Sequence, residues 1–107
     1  MTMTLKTLAD GQLGVAKATL YTCPASTQTI IKTMSFVNTH VAGITMNLYV
    51  KPSGGTSRRI MPKTMALSVN YLSIYDDEIT LETGDLIEGD ASVAAVVDYV
   101  ISGVEKT

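Results

Sequence analysis

The sequence predicts an all-β fold, a single-domain antiparallel β-sandwich, jelly-roll-like, of about eight strands. Three observations lead there. Short β-branched runs alternate with Gly, Pro, Asn and Asp turn signals along the whole chain. The length of 107 residues suits one domain able to bury a core of its own. Hydrophobic residues make up 46% of the chain, yet with one Phe, five Tyr and no Trp the packing must rest on Val, Ile, Leu, Met and Ala. Such side chains fill the narrow gap between two sheets.

Taken in order, residues 1–15 read as an N-terminal arm or short strand, and residues 16–107 as the sandwich domain. Met3 to Leu8 alternates loosely, and Asp10-Gly11 and Gly14 then give turning points. Ala16 to Cys23 is a strand ended by Pro24. Gln28 to Asn38 is the next, with Ile30, Met34 and Phe36 expected on one face together with Lys32. Asn38 to Gly43 is a loop. Ile44 to Lys51 alternates most cleanly, Ile44, Met46, Leu48 and Val50 against Thr45, Asn47, Tyr49 and Lys51, as a strand with one wet face does.

Pro52 to Thr56 is a hairpin-like connection, and Ser57 to Met61 returns along the preceding strand until Pro62 stops it. Met65 to Leu67 is a weak apolar patch, Tyr71 to Tyr75 a short strand, and Glu78 to Leu81 another, with Ile79 and Leu81 inward. The stretch from Glu82 to Val104 organises the rest. Gly84-Asp85 turns into Leu86 to Glu88, Gly89 to Ser92 turns again, and a long strand is expected from Val93. That last run also fits a helical stripe at Val93, Val96, Val97, Val100 and Ile101, but its β-branched residues crowd χ1 in a helix. Being apolar on both faces, it is placed in the middle of a sheet.

Composition narrows the function classes. Charged residues are only 17% of the chain, which points to surface covered by other copies rather than by water. The formal net charge of −2 speaks against nucleic-acid binding, and the chain has neither a leader-like apolar segment nor an apolar run long enough to span a membrane. His40 stands alone in a loop, and Cys23 has no base near it in sequence; neither has the partners that nucleophilic catalysis or zinc requires. No enzyme activity, cofactor or metal is therefore expected. Seven of the ten acidic residues lie between Asp76 and Asp90, but without calcium-loop spacing they read as solvated turns. Asp98, mid-strand among valines, must face solvent or meet a cation.

Four of the eight basic residues, Lys51, Arg58, Arg59 and Lys63, flank the Gly54-Gly55 turn. The Gly-Lys-Ser/Thr ending of a phosphate loop is absent there. Lys51, Arg58 and Arg59 are candidate contacts between copies, with Asp76 and Asp77 as their acidic counterparts, because guanidinium and carboxylate pair in a bidentate fork. Leu5 and Leu8 on the N-terminal segment complete the candidate inter-subunit set.

Four strings carry a resemblance: Tyr21 with Pro24 and Ala25; Val37-Asn38-Thr39; Leu81 with Gly84 and Asp85; and the closing run from Asp98 to Glu105. In this order they resemble small all-β structural proteins of tailed bacteriophages, over most of the chain after Thr19. The resemblance implies a virion structural protein, made in the host cytoplasm. Within that class it implies a capsid decoration (cement) protein that sits on the major capsid protein as a homo-oligomer, a trimer in the first instance, with the N-terminal segment adding a strand to a neighbour. The alternatives are a neck, tail or baseplate component, and a carbohydrate-binding sandwich using Tyr21, Tyr49, Tyr71, Tyr75 and Tyr99 as platforms.

Overall fold

The computed structural model describes residues 2–107, and among them there are ten β-strands and no helix. β1 is Met3–Gln12, β2 Ala18–Thr22, β3 Gln28–Asn38, β4 Ile44–Lys51 and β5 Arg58–Arg59. β6 is Met65–Leu67, β7 Leu72–Tyr75, β8 Ile79–Leu81, β9 Leu86–Ala91 and β10 Val97–Lys106. All pairings are antiparallel.

These ten strands occupy eight lanes in two sheets. The first sheet runs β1, β10, β3 and then β7 with β8, both of which pair β3; the second runs β2, β9, β4 and then β5 with β6, both of which pair β4. Followed along the chain, the lanes fall in the first, second, first, second, second, first, second and first sheet. That is the order of a jelly roll, two Greek keys rolled into a sandwich. The expected fold class holds, and the count of ten against about eight arises because two outer lanes are each broken in two.

Burial follows from the alternation of strand side chains. Ile31, Met34 and Phe36 of β3, Met46 and Leu48 of β4, and Val97 and Ile101 of β10 are fully enclosed, with Leu13, Leu67, Leu81 and Ile87 around them. On β3 the inward face is Thr29 and Ile31 and then Met34, Phe36 and Asn38, so Ile31 takes the place expected for Ile30. The cause is a β-bulge at Lys32: Ser102 faces Thr33 and Gly103 faces Ile31, and one extra residue reverses the alternation. At the same point the outer lane breaks between β7 and β8, and Lys32 bridges the break to Glu78.

The expected long strand from Val93 is corrected as well. β9 continues through Gly89 to Ala91, and the turn lies after it, with Ala95 in the left-handed region at φ 60°. Gly89 stays in the strand because its missing side chain is the room that Leu13 and Leu20 fill; a Cβ there would lie 3.0 Å from Leu20 Cδ1 and 3.3 Å from Leu13 Cδ2. β10 does sit in the interior of its sheet, between β1 and β3.

Candidate assembly surface

Two hydrogen-bonded clusters stiffen the sandwich. Asn38 is fully buried at the end of β3, and its Nδ2 donates to the carbonyls of Ala42, Leu67 and Ser68 while Oδ1 accepts from the His40 amide. It ties two loops at one end of the molecule. Toward the other end, Lys6 reaches Glu105 Oε1 at 3.1 Å, Tyr21 donates to Glu105 Oε2 at 2.6 Å, and Thr29 Oγ1 lies 2.8 Å from the Tyr21 hydroxyl. Because the Tyr21 proton is committed to Glu105, Thr29 is the donor to Tyr21. This chain clasps β2 in one sheet to β1, β3 and β10 in the other. The Tyr21 bond, helped by Lys6, holds the Glu105 carboxyl below its ordinary range against the opposing effect of burial. Burial first, then the bond to Glu105, pushes the Tyr21 phenol up.

The predicted chemical residues are absorbed structurally. Cys23 is buried, its thiol 3.2 Å from the Thr27 carbonyl and 3.2 Å from Thr29 Oγ1. His40 contributes its backbone amide to Asn38. Among the described residues, no three His, Cys, Asp or Glu side chains come together as a metal site would need. Of the acidic residues between Asp76 and Asp90, Asp85 accepts from the Ser53 and Glu82 amides, Asp90 from Asn47 and Tyr49, and Glu88 from Ser57. Asp98 is exposed and accepts from Gln12 Nε2 at 2.9 Å. Tyr21, Tyr49 and Tyr99 are buried, which leaves Tyr71 as the one markedly exposed phenol.

The candidate contact residues fall in several places. Leu5 is 82% exposed on β1, whereas Leu8 sits at a bulge between Thr7 and Ala9 and packs inward against the core. Arg58 and Arg59 form β5 in an outer lane of the second sheet, and Lys51 ends the neighbouring β4. Asp76 and Asp77 occupy the break between β7 and β8 in an outer lane of the first sheet.

A stronger contrast separates the two outward faces, and the sequence reading missed it. On the second sheet the outward residues include Lys51, Arg59, Glu88 and Asp90, packed round Tyr49, whose ring lies 4.8 Å from Lys17 Nζ and 5.0 Å from the Arg59 guanidinium. Tyr49 donates to Asp90, Asn47 joins it, and burial followed by the Asp90 bond raises the Tyr49 phenol. This face is charged and internally satisfied. On the first sheet, residues opposite one another share a side, so the registers set Leu5, Val104 and Ile30 in one row and Asp10, Val100, Ser35 and Ile74 in another. Gln12, Asp98, Val37 and Leu72 lie beyond, and Thr7, Ser102 and Thr33 form the strip between. Met3, Leu5, Leu72, Ile74 and Val100 are among the exposed large hydrophobics of this face; the others, Val15, Val41, Val69 and Tyr71, lie in connecting loops, and none is on the outward face of the second sheet. Alternation along single strands could not reveal this face, because it appears only when four lanes are laid side by side.

No protein-family model and no curated protein matches the chain. Solved structures do. A chain of the Bacillus endospore appendages, disulfide-linked pili, superposes with a TM-score of 0.61 at 15% identity, over 99% of this chain and 88% of that one. A chain from the acidic stable capsid of Helicobacter pylori bacteriophage KHP30 gives 0.55 at 11% identity, over 98% and 87%. A chain of infectious bursal disease virus, Gx strain, gives 0.55 at 16% identity, over 97% of this chain but only 32% of that one. The present chain thus spans about a third of the bursal disease virus chain. What is shared at these identities is a viral capsid-like β-sandwich fold, found also in a pilus.

Proposed function

We propose that the chain is a structural protein of a virus particle, with no chemistry of its own, and within that class a decoration protein bound to the head shell of a tailed bacteriophage. The observation that carries the reading is the unequal pair of faces: a rigid jelly roll with one charged, self-satisfied face and one flat apolar face is built to be covered. The likeness to capsid chains and the motif resemblance support the same reading. Three copies round an axis is the assembly the resemblance implies. The purified protein mixed with expanded empty phage heads should sediment with them in a saturable ratio. Failure to bind shells at micromolar protein would remove the head assignment. The likeness to a pilus chain favours one second reading, a neck or tail component that stacks with itself; filaments or rings that ignore shells would select it.

A further inference from the structure

We infer that one end of the sandwich, the tip formed by the loops that follow β1, β3, β6 and β9, docks on an uncharged apolar patch of the shell protein. The inference rests on the structural-protein reading and adds which end of the molecule touches the shell and by what chemistry. Residues 13–17, 39–43, 68–71 and 92–96 make the connections at this end. Ala95 donates its amide to the Leu13 carbonyl, and Thr39 donates to the Val96 carbonyl through both its amide and its hydroxyl. Asn38 gathers Ala42, Leu67 and Ser68. The tip is therefore one tied surface, and these carbonyls ask no hydrogen bond of a partner.

What the tip presents is apolar. Val15, Val41, Val69 and Tyr71 stand exposed on it, Val41 the most of all the large hydrophobics at 89%. The four loops hold no Asp or Glu, and their ionisable side chains are His40 and Lys17, the second of which lies over the Tyr49 ring on the flank. The loops of the opposite end, residues 23–27, 52–57 and 82–85, carry none of the exposed large hydrophobics and hold Glu82 and Asp85. From Tyr71 the apolar surface runs on to Leu72 and Ile74 at the adjoining corner of the first sheet, and Asp98 at its margin is taken up by Gln12. Beside the tip a groove of about 420 Å³ opens between Gly43, Ala66, Ser68 and Ser92, small residues that leave room for a side chain from outside.

These features select a protein partner, and one repeated on a lattice. Nucleic acid and anionic lipid are held by clustered cations, which the tip lacks. A groove takes side chains, which a lipid surface does not offer. A second copy meeting tip to tip is disfavoured by area. The molecule measures 46 × 27 × 20 Å. Its end therefore covers at most roughly 500 Å² on each copy, and about 1,000 Å² in total is the floor for a specific free pair. An assembly that carries several tips on one rigid body engages several patches of a shell together, so a footprint too small for a free pair holds there.

Co-sedimentation of the full chain with expanded empty phage heads at micromolar protein tests the inference. Val41→Asp and Tyr71→Asp should each weaken binding at least about tenfold, because each buries an unpaired carboxylate in the contact. Melting temperatures within a few degrees of the wild type check that both fold, and Val41→Leu should bind as the wild type does. Thr56→Asp, at the opposite end, should leave binding unchanged. Raising salt from about 50 to about 500 mM should alter binding little, because no charges are paired across the contact. Binding that survives both tip substitutions, or that falls steeply with salt, would overturn the inference and leave the head assignment standing; a wild type that ignores shells removes both. Light scattering and vesicle flotation without shells read the other occupants. A double mass, or binding to vesicles of anionic phospholipid, that Val41→Asp abolishes would give the tip to a second copy or to lipid and overturn the inference as well.

Discussion

Asn38 shows how one polar side chain can hold more of a small sandwich than a large apolar one. Its amide binds three carbonyls and one amide group of two loops, among them the buried Leu67 carbonyl, while the Ser68 carbonyl also accepts from the Tyr71 amide. Each orphaned group costs about 1–3 kcal/mol. Asn38→Ala should therefore lose roughly 3 kcal/mol, seen as a fall of at least about 10 °C in melting temperature; a fall of under about 3 °C would mean that water replaces the side chain. Gly103 acts by absence. A Cβ there would lie 2.2 Å from the Ile30 carbonyl oxygen, which is backbone and cannot swing aside. Gly103→Ala should cost at least about 2 kcal/mol through forced displacement of β3 at its bulge, as urea titration would read it. Glu105 adds a pH dependence. Its folded carboxyl titrates below the ordinary value, so the stability it contributes is complete above about pH 4.3, the unfolded value, and is lost as pH falls through the folded one. Glu105→Gln should flatten that acid limb, measured by melts between pH 3 and 7, and an unchanged limb would assign the acid loss to other carboxylates.

At the scale of elements, the lanes differ in what secures them. β3 and β10 each have a partner on both sides along most of their length, and β4 and β9 likewise, whereas β5 has two residues and β8 three in broken outer lanes. Hydrogen exchange should accordingly leave the amides of β3, β10, β4 and β9 slowest and those of β5 and β8 among the fastest in the strands; uniform protection would mean that the molecule opens only as a whole. The same difference set what the sequence could disclose. Gln28 to Asn38 and Ile44 to Lys51 were legible to the residue, because long strands carry enough alternation and are bounded by strong turn chemistry. The bulge at Lys32 was not, since an extra residue leaves no mark in a run of Thr, Ile and Lys and shows only as Ile31 replacing Ile30 in the core. The turn before β10 was misplaced because Gly89, a turn signal in isolation, is required in the strand by Leu13 and Leu20, which come from more than sixty positions earlier. The apolar outward face escaped for a related reason: Leu5, Ile74 and Val100 each look unremarkable on their own strand, and only pairing across the sheet assembles them.

For the molecule as a whole, the decisive pairing joins the two ends of the chain. β1 lies along β10 from Met3 opposite Lys106 to Gln12 opposite Asp98, and Thr2 and Thr107 exchange backbone hydrogen bonds at 2.9 and 3.2 Å. In the linear chain this contact closes a loop of about a hundred residues, a cost that grows as about 1.5RT ln n and delays every step that depends on it. Yet the interior of the first sheet needs it, since β1 is the partner on one side of β10 and Leu8 packs against the core beneath it. Because Thr2 and Thr107 are adjacent, a short Gly-Ser linker can join them, and new ends can be opened between Gly54 and Gly55, an exposed turn whose Gly54 has φ 69° and meets no atom within 4 Å of a would-be Cβ. Joined this way, β10 and β1 become a hairpin, and the longest-range pairing of the fold becomes one of the shortest. The permuted protein should melt within about 5 °C of the parent and refold severalfold faster in stopped-flow experiments, with its unfolding rate little changed. Equal refolding rates would show that β1 docks on β10 only after the rate-limiting step, so that the sandwich first closes as seven lanes and the N-terminal strand is added to a sheet already formed.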